Sequence, residues 1–186
     1  MRPEARWQRA TLLFQQARWD LAIQELRALL AAEPEDAHAH ALLAMALVQR
    51  EELDAALAEA RQAVALAPHG DFPLRALAVV LWRRDQLDAA ADAIQQAIAI
   101  DPDDVDHRGL LAQIRCSQQR WHDALEAADQ GLQLDPSDTD CLNLRTLALT
   151  KLGRTKEATA TAEASLARDP DNPYSHQTHG VALLHQ

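Results

Sequence analysis

The sequence predicts an all-α fold made by stacking near-identical helix pairs, and three observations predict it. Five prolines, Pro34, Pro68, Pro102, Pro136 and Pro170, follow one another at a fixed interval of 34 residues. A period of that length marks a stacked-repeat architecture, in which each unit buries its apolar face only against its neighbours. Alanine stands at one place of every period, at Ala22, Ala56, Ala90, Ala124 and Ala158, as expected where two helix backbones approach closely. Hydrophobic residues make up 48% of the 186-residue chain but aromatics only 4%, so Ala and Leu carry the core, a composition that suits packed helices and argues against a sheet.

The elements then follow in order. First helices of the successive units are expected over 3–16, 37–50, 71–84, 105–118, 139–152 and 173–185, and second helices over 19–32, 53–66, 87–100, 121–134 and 155–168. In the second unit Leu43, Ala44 and Leu47 fall on one face of the first helix, and Ala56, Ala60 and Ala63 on one face of the second. Spacings of three and four residues give a helix a single buried stripe. Glu51-Glu52 makes the turn between them. Proline closes each second helix, because it lacks an N–H and disfavours helix in the residue before it. Asp103, Asp104, Ser137, Asp138 and Asp171, just behind the prolines, are expected to cap the next helix by accepting its unpaired N–H groups. A second small position falls at Ala63, Ala97, Gly131 and Ser165, with Leu29 the exception in the first unit. The periods 3–36, 37–70, 71–104, 105–138 and 139–172 are five full units, and 173–186 supplies the first helix of a sixth. Residues 1–186 are expected to form a single domain. The stripe of Val181, Ala182, Leu183 and Leu184 is too apolar for an outer cap, so the array is expected to continue past Gln186 or to dock this helix on another molecule.

This pattern resembles the tetratricopeptide repeat (TPR), a 34-residue helix–turn–helix with W-x₂-L-G-x₂-Y, then A-x₃-F, then P. The resemblance spans residues 3–186. In the third unit Leu74, Leu77, Ala78, Leu81, Ala90, Ile94, Ala97 and Pro102 fill the successive signature positions. Gly153 matches the inter-helix glycine and Gly180 that of the first helix. Arg108, Arg115, Arg145 and Thr146 stand where the family has apolar residues or glycine, so the fourth and fifth units are expected to pack less tightly or bend outward. The resemblance implies a right-handed α-solenoid (a superhelix of antiparallel helix pairs), first helices lining a concave groove, and a bacterial-type TPR scaffold that binds a protein or peptide.

Charge and composition exclude several alternatives. The formal net charge is −10 and the pI about 5.1, with the acid concentrated in the first four units. Nucleic-acid binding needs a basic face to displace counterions, so no nucleic-acid partner is expected. No apolar run is long enough to span a bilayer and no signal peptide is evident. The expected location is therefore the cytoplasm, including the cytosolic part of a longer membrane-tethered protein. Cys116 and Cys141 are too few for a disulfide framework. They also lie nine register positions apart on adjacent first helices, roughly 13 Å at ~1.5 Å per residue. A bridge needs Cα atoms within about 7 Å. Both are expected to be free thiols.

On the resemblance, the partner-binding groove is expected to present Met45, Phe72, Arg75, Val79, Trp82, Arg83, Leu110, Leu144, Leu147 and Lys151. Met45, Phe72, Trp82 and Leu144 would be apolar anchors, and Arg75, Arg83 and Lys151 would set the polarity of a bound peptide or helix. Some relatives clamp a chaperone's C-terminal carboxylate with Lys and Asn. Here those positions hold Trp7, Thr11, Ala41 and Met45, so that clamp is absent. His38, His40, His176, His179 and His185 lack the neighbouring Cys, Asp or Glu that would complete a tetrahedral metal set. Asp101, Asp103, Asp104 and Asp106 lack the alternate ligands and glycine of a calcium loop and read as capping residues. No metal site, cofactor or catalytic residue is assigned, and the chain is not expected to be an enzyme. Two further readings remain: a homodimer through residues 173–186, and a regulatory or anchoring segment of a larger membrane-associated or enzymatic protein.

Overall fold

The computed structural model describes residues 3–184, which fold as eleven helices without a strand. They are α1 (Pro3–Gln15), α2 (Trp19–Leu30), α3 (Ala37–Gln49), α4 (Leu53–Leu66), α5 (Asp71–Arg83), α6 (Leu87–Ile100), α7 (Val105–Ser117), α8 (Trp121–Leu134), α9 (Thr139–Lys151), α10 (Thr155–Arg168) and α11 (Pro173–Leu184). The expected helices are all present, α1, α3, α5, α7 and α9 ending one residue early, and the expected end of α11 at 185 lies outside the described residues. α2 ends two residues early because the Leu29 carbonyl accepts both the Ala32 and Glu33 amides, at 2.9 and 2.8 Å, which tightens its last turn.

Each boundary has a local cause that recurs with the period. Residues Ala67, Asp101, Asp135 and Asp169 precede prolines and leave the helical region, with φ of −135°, −122°, −131° and −133°. Four of the next helices then begin on a capping side chain. Asp36 accepts the Ala39 amide at 3.0 Å, Asp104 the Asp106 amide at 2.8 Å, and Asp138 the Cys141 amide at 2.7 Å. Asn172 accepts the Tyr174 and Ser175 amides at 3.0 and 3.3 Å. The caps thus fall to Asp104, Asp138 and Asn172, not to Asp103, Ser137 and Asp171 one place earlier. Ser137 instead donates its amide and hydroxyl to Asp135, at 2.8 and 2.7 Å, and these two bonds hold the Asp135 carboxyl below its ordinary range. The fifth helix starts on Gly70, where a Cβ would meet Pro73 Cδ at 3.0 Å.

The turn within each pair is also periodic. Ala17, Glu51, Asp85, Gln119 and Gly153 have φ of +55°, +60°, +61°, +58° and +73°. Each is held by the paired bonds of a Schellman motif, such as Glu51 N–H to Val48 C=O and Glu52 N–H to Leu47 C=O, both at 3.0 Å. Only one of the five is glycine, so four side chains sit in a region costing roughly 1–2 kcal/mol each.

The structure divides into two compact units at Asp101/Pro102. In the first, α1–α6 stack as three antiparallel pairs around Leu26, Leu29, Leu43, Leu47, Val48 and Val80, none more than 1% exposed. In the second, α7–α8 and α9–α10 form two pairs, and α11 packs on α9 and α10. The five ladder alanines are 0% exposed. In the fourth and fifth units the departures from the family pattern are taken up by hydrogen bonds. Arg108 donates to Gln130 at 2.8 Å, and Arg145 donates to Asp129 at 2.7 Å and also to Thr161. Thr146 is 0% exposed, its hydroxyl returned to the Leu142 carbonyl at 2.9 Å. Cys116 and Cys141 are free thiols, both buried. Burial pushes the Cys116 thiol up to about 11 and the Cys141 thiol higher still.

Candidate functional site

Opposite faces of the first helices are unequally covered. On α5, Leu74, Ala78 and Leu81 are buried at 4%, 0% and 6% exposure. Phe72, Arg75, Val79 and Trp82, spaced by three, four and three residues, form a half-buried stripe on the same helix, and Arg83 beside it is exposed. The ring of Phe72 is braced on both sides. His38 stacks against it at 5.8 Å with an interplanar angle of 14°, and the Arg75 guanidinium lies 5.3 Å from its centroid. Met45 on α3 shares the period position of Val79 and is likewise half-buried. That position, Thr11, Met45, Val79, Gln113, Leu147 and Val181, is half-open in all six units.

In the second unit Leu110 and Leu147 are half-buried and Lys151 is exposed, its Nζ 5.9 Å from the Trp121 ring. Leu144 is 3% exposed. It shares its period position with Leu42, Ala76 and Thr178, buried at 6%, 0% and 4%, but also with the half-buried Leu110 and the exposed Gln8, so only in part of the array does that place pack one first helix on the next. Leu147 instead borders a recess of about 260 Å³ between α9 and α11, lined also by Thr150, Tyr174, Gln177, Thr178 and Val181. Tyr174 has its phenol pushed up by burial, with the Cys116 and Asp140 charges adding to it.

Beneath the recess lies a polar cluster that sequence reading did not single out. Asn143, Ser165 and Ser175 are 0% exposed and Thr178 is 4% exposed. Asn143 donates to Ser175 at 3.0 Å and accepts from Ser165 at 2.9 Å and Thr178 at 3.2 Å, while Ser165 and Ser175 share a bond of 2.9 Å. These bonds tie α9, α10 and α11 together. Their signal in the sequence was the run of polar residues on helices that are otherwise core-forming.

The histidines serve the fold. His40 Nε2 donates to the Pro34 carbonyl at 3.0 Å, and its Nδ1 meets Glu59 at 2.6 Å. His176 makes the equivalent bond to the Pro170 carbonyl at 2.7 Å. His176 is exposed. His185 lies outside the described residues.

A tetratricopeptide repeat model matches residues 8–71 and 110–173, and a second model of that description matches residues 71–114. The chain belongs to the tetratricopeptide repeat family. Among solved structures, a thermophilic TPR protein of Thermus thermophilus superposes with a TM-score of 0.85 at 19% identity, over 98% of this chain and 100% of that one. PilF of Pseudomonas aeruginosa follows at 0.81 and 18% identity, over 98% of this chain and 88% of that one. YrrB, described as a TPR protein with an unusual peptide-binding site, gives 0.68 at 16% identity, over 92% and 88%. At these identities the likeness is one of fold. No curated protein sequence matches the chain. The TPR fold is that of a protein–protein interaction scaffold. No described helix is long and apolar enough to cross a membrane.

Proposed function

We propose that the open faces of the first helices hold a peptide or short helix of a partner protein. The observation that carries this reading is the split burial of α5, whose covered face is closed to water while Phe72, Val79 and Trp82 stand half-open opposite. Rigid packing behind the stripe keeps the ordering cost of the receptor low. Apolar partner side chains would seat against Met45, Phe72, Val79 and Trp82 in the first unit, with Arg75 and Arg83 meeting carboxylates. In the second unit the recess beside Leu147 has the size of one apolar side chain, with Leu110 and Lys151 on the same helix class. Leu144 contributes packing. That YrrB is described as having a peptide-binding site supports the reading. The test is retention of a random library of short acetylated peptides by the immobilised full chain. Trp82→Ala combined with Arg75→Ala should reduce it about tenfold with unchanged circular dichroism. Unchanged retention means that another surface binds.

A second reading is self-association through α11. Leu183 is 46% and Leu184 86% exposed, whereas Leu47, Leu81 and Leu149, at the period position of Leu183, are 1%, 6% and 0% exposed. Light scattering should find a dimer that Leu184→Glu dissociates. A monomer at high concentration refutes it.

A further inference from the structure

A wide cleft lies at the N-terminal end of the first unit. It has a volume of about 830 Å³ between α1, the α2–α3 turn and the start of α3. Trp7 and Leu29 give it an apolar floor, and Glu4, Glu33 and Asp36 stand around it. Leu29 is 1% exposed and Trp7 is half-buried against the core, so the floor is fixed. Arg6 and Arg9 on α1 both pair with Glu25 on α2, at 3.0 and 3.3 Å. Among the described residues no arginine or lysine lines the cleft. Its far wall is His38, the residue stacked on Phe72, so the cleft is continuous with the proposed peptide stripe.

An aromatic face ringed by carboxylates attracts one kind of group. The negative face of an indole draws a cation. Carboxylates at the mouth of a low-dielectric cleft focus the field on it, and the chain's net charge of −10 adds to this. An acidic side chain would meet like charge there, and a purely apolar one would leave the carboxylates without a partner. We infer that this cleft receives a lysine or arginine side chain of the partner peptide, seated on Trp7 and paired with Glu4 and Glu33. The inference rests on the peptide-binding reading and adds the chemistry of the ligand. A bound segment carries a basic residue at the α1 end of the first unit, while Arg75 and Arg83 favour acidic residues at the α5 end, and the two preferences orient it.

Two measurements on the full chain test it. In the first, ¹⁵N-labelled protein is titrated with Nα-acetyl-arginine amide. The Trp7 indole resonance should shift, Nα-acetyl-glutamate amide should leave it unmoved, and about 0.5 M salt should suppress the shift. An unmoved Trp7 resonance overturns the inference whether or not peptides bind elsewhere. In the second, the random peptide library is sequenced after retention. Wild type should enrich lysine and arginine at one position, and Glu4→Gln with Glu33→Gln should cut that enrichment about tenfold while apolar anchors are still selected. Asp36 is left intact because it caps α3. Glu163→Gln, an exposed charge on α10, should change nothing and controls for net charge. Peptides retained without a basic preference, or a preference that survives the double variant, sink the cationic cleft and leave the peptide-binding reading standing. An arginine-dependent Trp7 shift with no peptide retained sinks the peptide-binding reading and leaves a cation site.

Discussion

The hydrogen-bonded cluster under α11 makes the sharpest prediction. Asn143→Ala removes one donated and two accepted bonds, at 3.0, 2.9 and 3.2 Å, from a side chain that is 0% exposed. The hydroxyls left behind are not orphaned. Ser165 and Ser175 keep their mutual bond of 2.9 Å, and Thr178 still donates to the Ser175 carbonyl at 3.1 Å. Thr178 has one hydroxyl hydrogen, which that carbonyl keeps, so the net loss is two bonds at about 1 kcal/mol each. The void left by the amide adds roughly 1 kcal/mol. The total is about 3 kcal/mol, concentrated where α11 meets α9 and α10. Hydrogen exchange reads such local opening directly. Amides of α11 from Thr178 to Ala182 should exchange on the order of 10²- to 10³-fold faster, while those of α3 stay protected. A loss below about 1 kcal/mol, with α11 protection unchanged, would refute the view that polar bonds hold this helix in place.

Three further outcomes follow from the backbone and the charges. Glu51→Gly and Asp85→Gly should each raise stability by about 1 kcal/mol, because glycine accepts their φ of +60° and +61°, and Gly153→Ala should lose a similar amount. Nothing lies within 4 Å of a Cβ built on Gly153, so its loss is purely conformational, and urea midpoints measure all three. Gly131→Ala places a Cβ 2.5 Å from Cys141 Sγ and should cost about 2 kcal/mol, part of which Cys141→Ala restores in a double-mutant cycle. Burial first, and then Asp138 and Asp106, raise the Asp140 carboxyl above its ordinary value. A raised carboxyl costs stability above its folded pKa and costs none below its unfolded pKa. Asp140→Asn should therefore stabilise the protein slightly at neutral pH, with the gain fading as the medium is acidified through the carboxyl range. Solvent at this exposed residue keeps the effect small.

The fold was legible because its punctuation is covalent. Proline fixes its own φ and pushes Ala67, Asp101, Asp135 and Asp169 out of the helix, so five residues were enough to set the register of all the helices. The capping residues Asp104 and Asp138 were read, each beside a neighbour that does not cap, and only Asn172 was missed for Asp171, because the segments behind the prolines are polar at adjacent positions and composition alone does not choose among them. The left-handed turns at Ala17, Glu51, Asp85 and Gln119 were invisible, since none is glycine and the Schellman bonds, not the side chain, hold the conformation. The candidate site was legible only as a face. Leu144 and Leu147 sit three residues apart on one helix with the same chemistry, yet one packs between first helices and the other borders an open recess. The N-terminal cleft had no sequence signal, because Glu4, Trp7, Glu33 and Asp36 come from different elements and meet only through the turn between α2 and α3.

The two sulfur atoms have a practical consequence. Cys116, at about 11, carries on the order of one thiolate per three thousand molecules at pH 7.5. Cys141, 0% exposed, carries fewer. Alkylating dyes react through the thiolate, so the native chain should react slowly with maleimides without any residue being removed. Lys151→Cys or Arg83→Cys then supplies the only fast handle, and a fluorophore there reports on ligand at either candidate face in an otherwise unaltered protein.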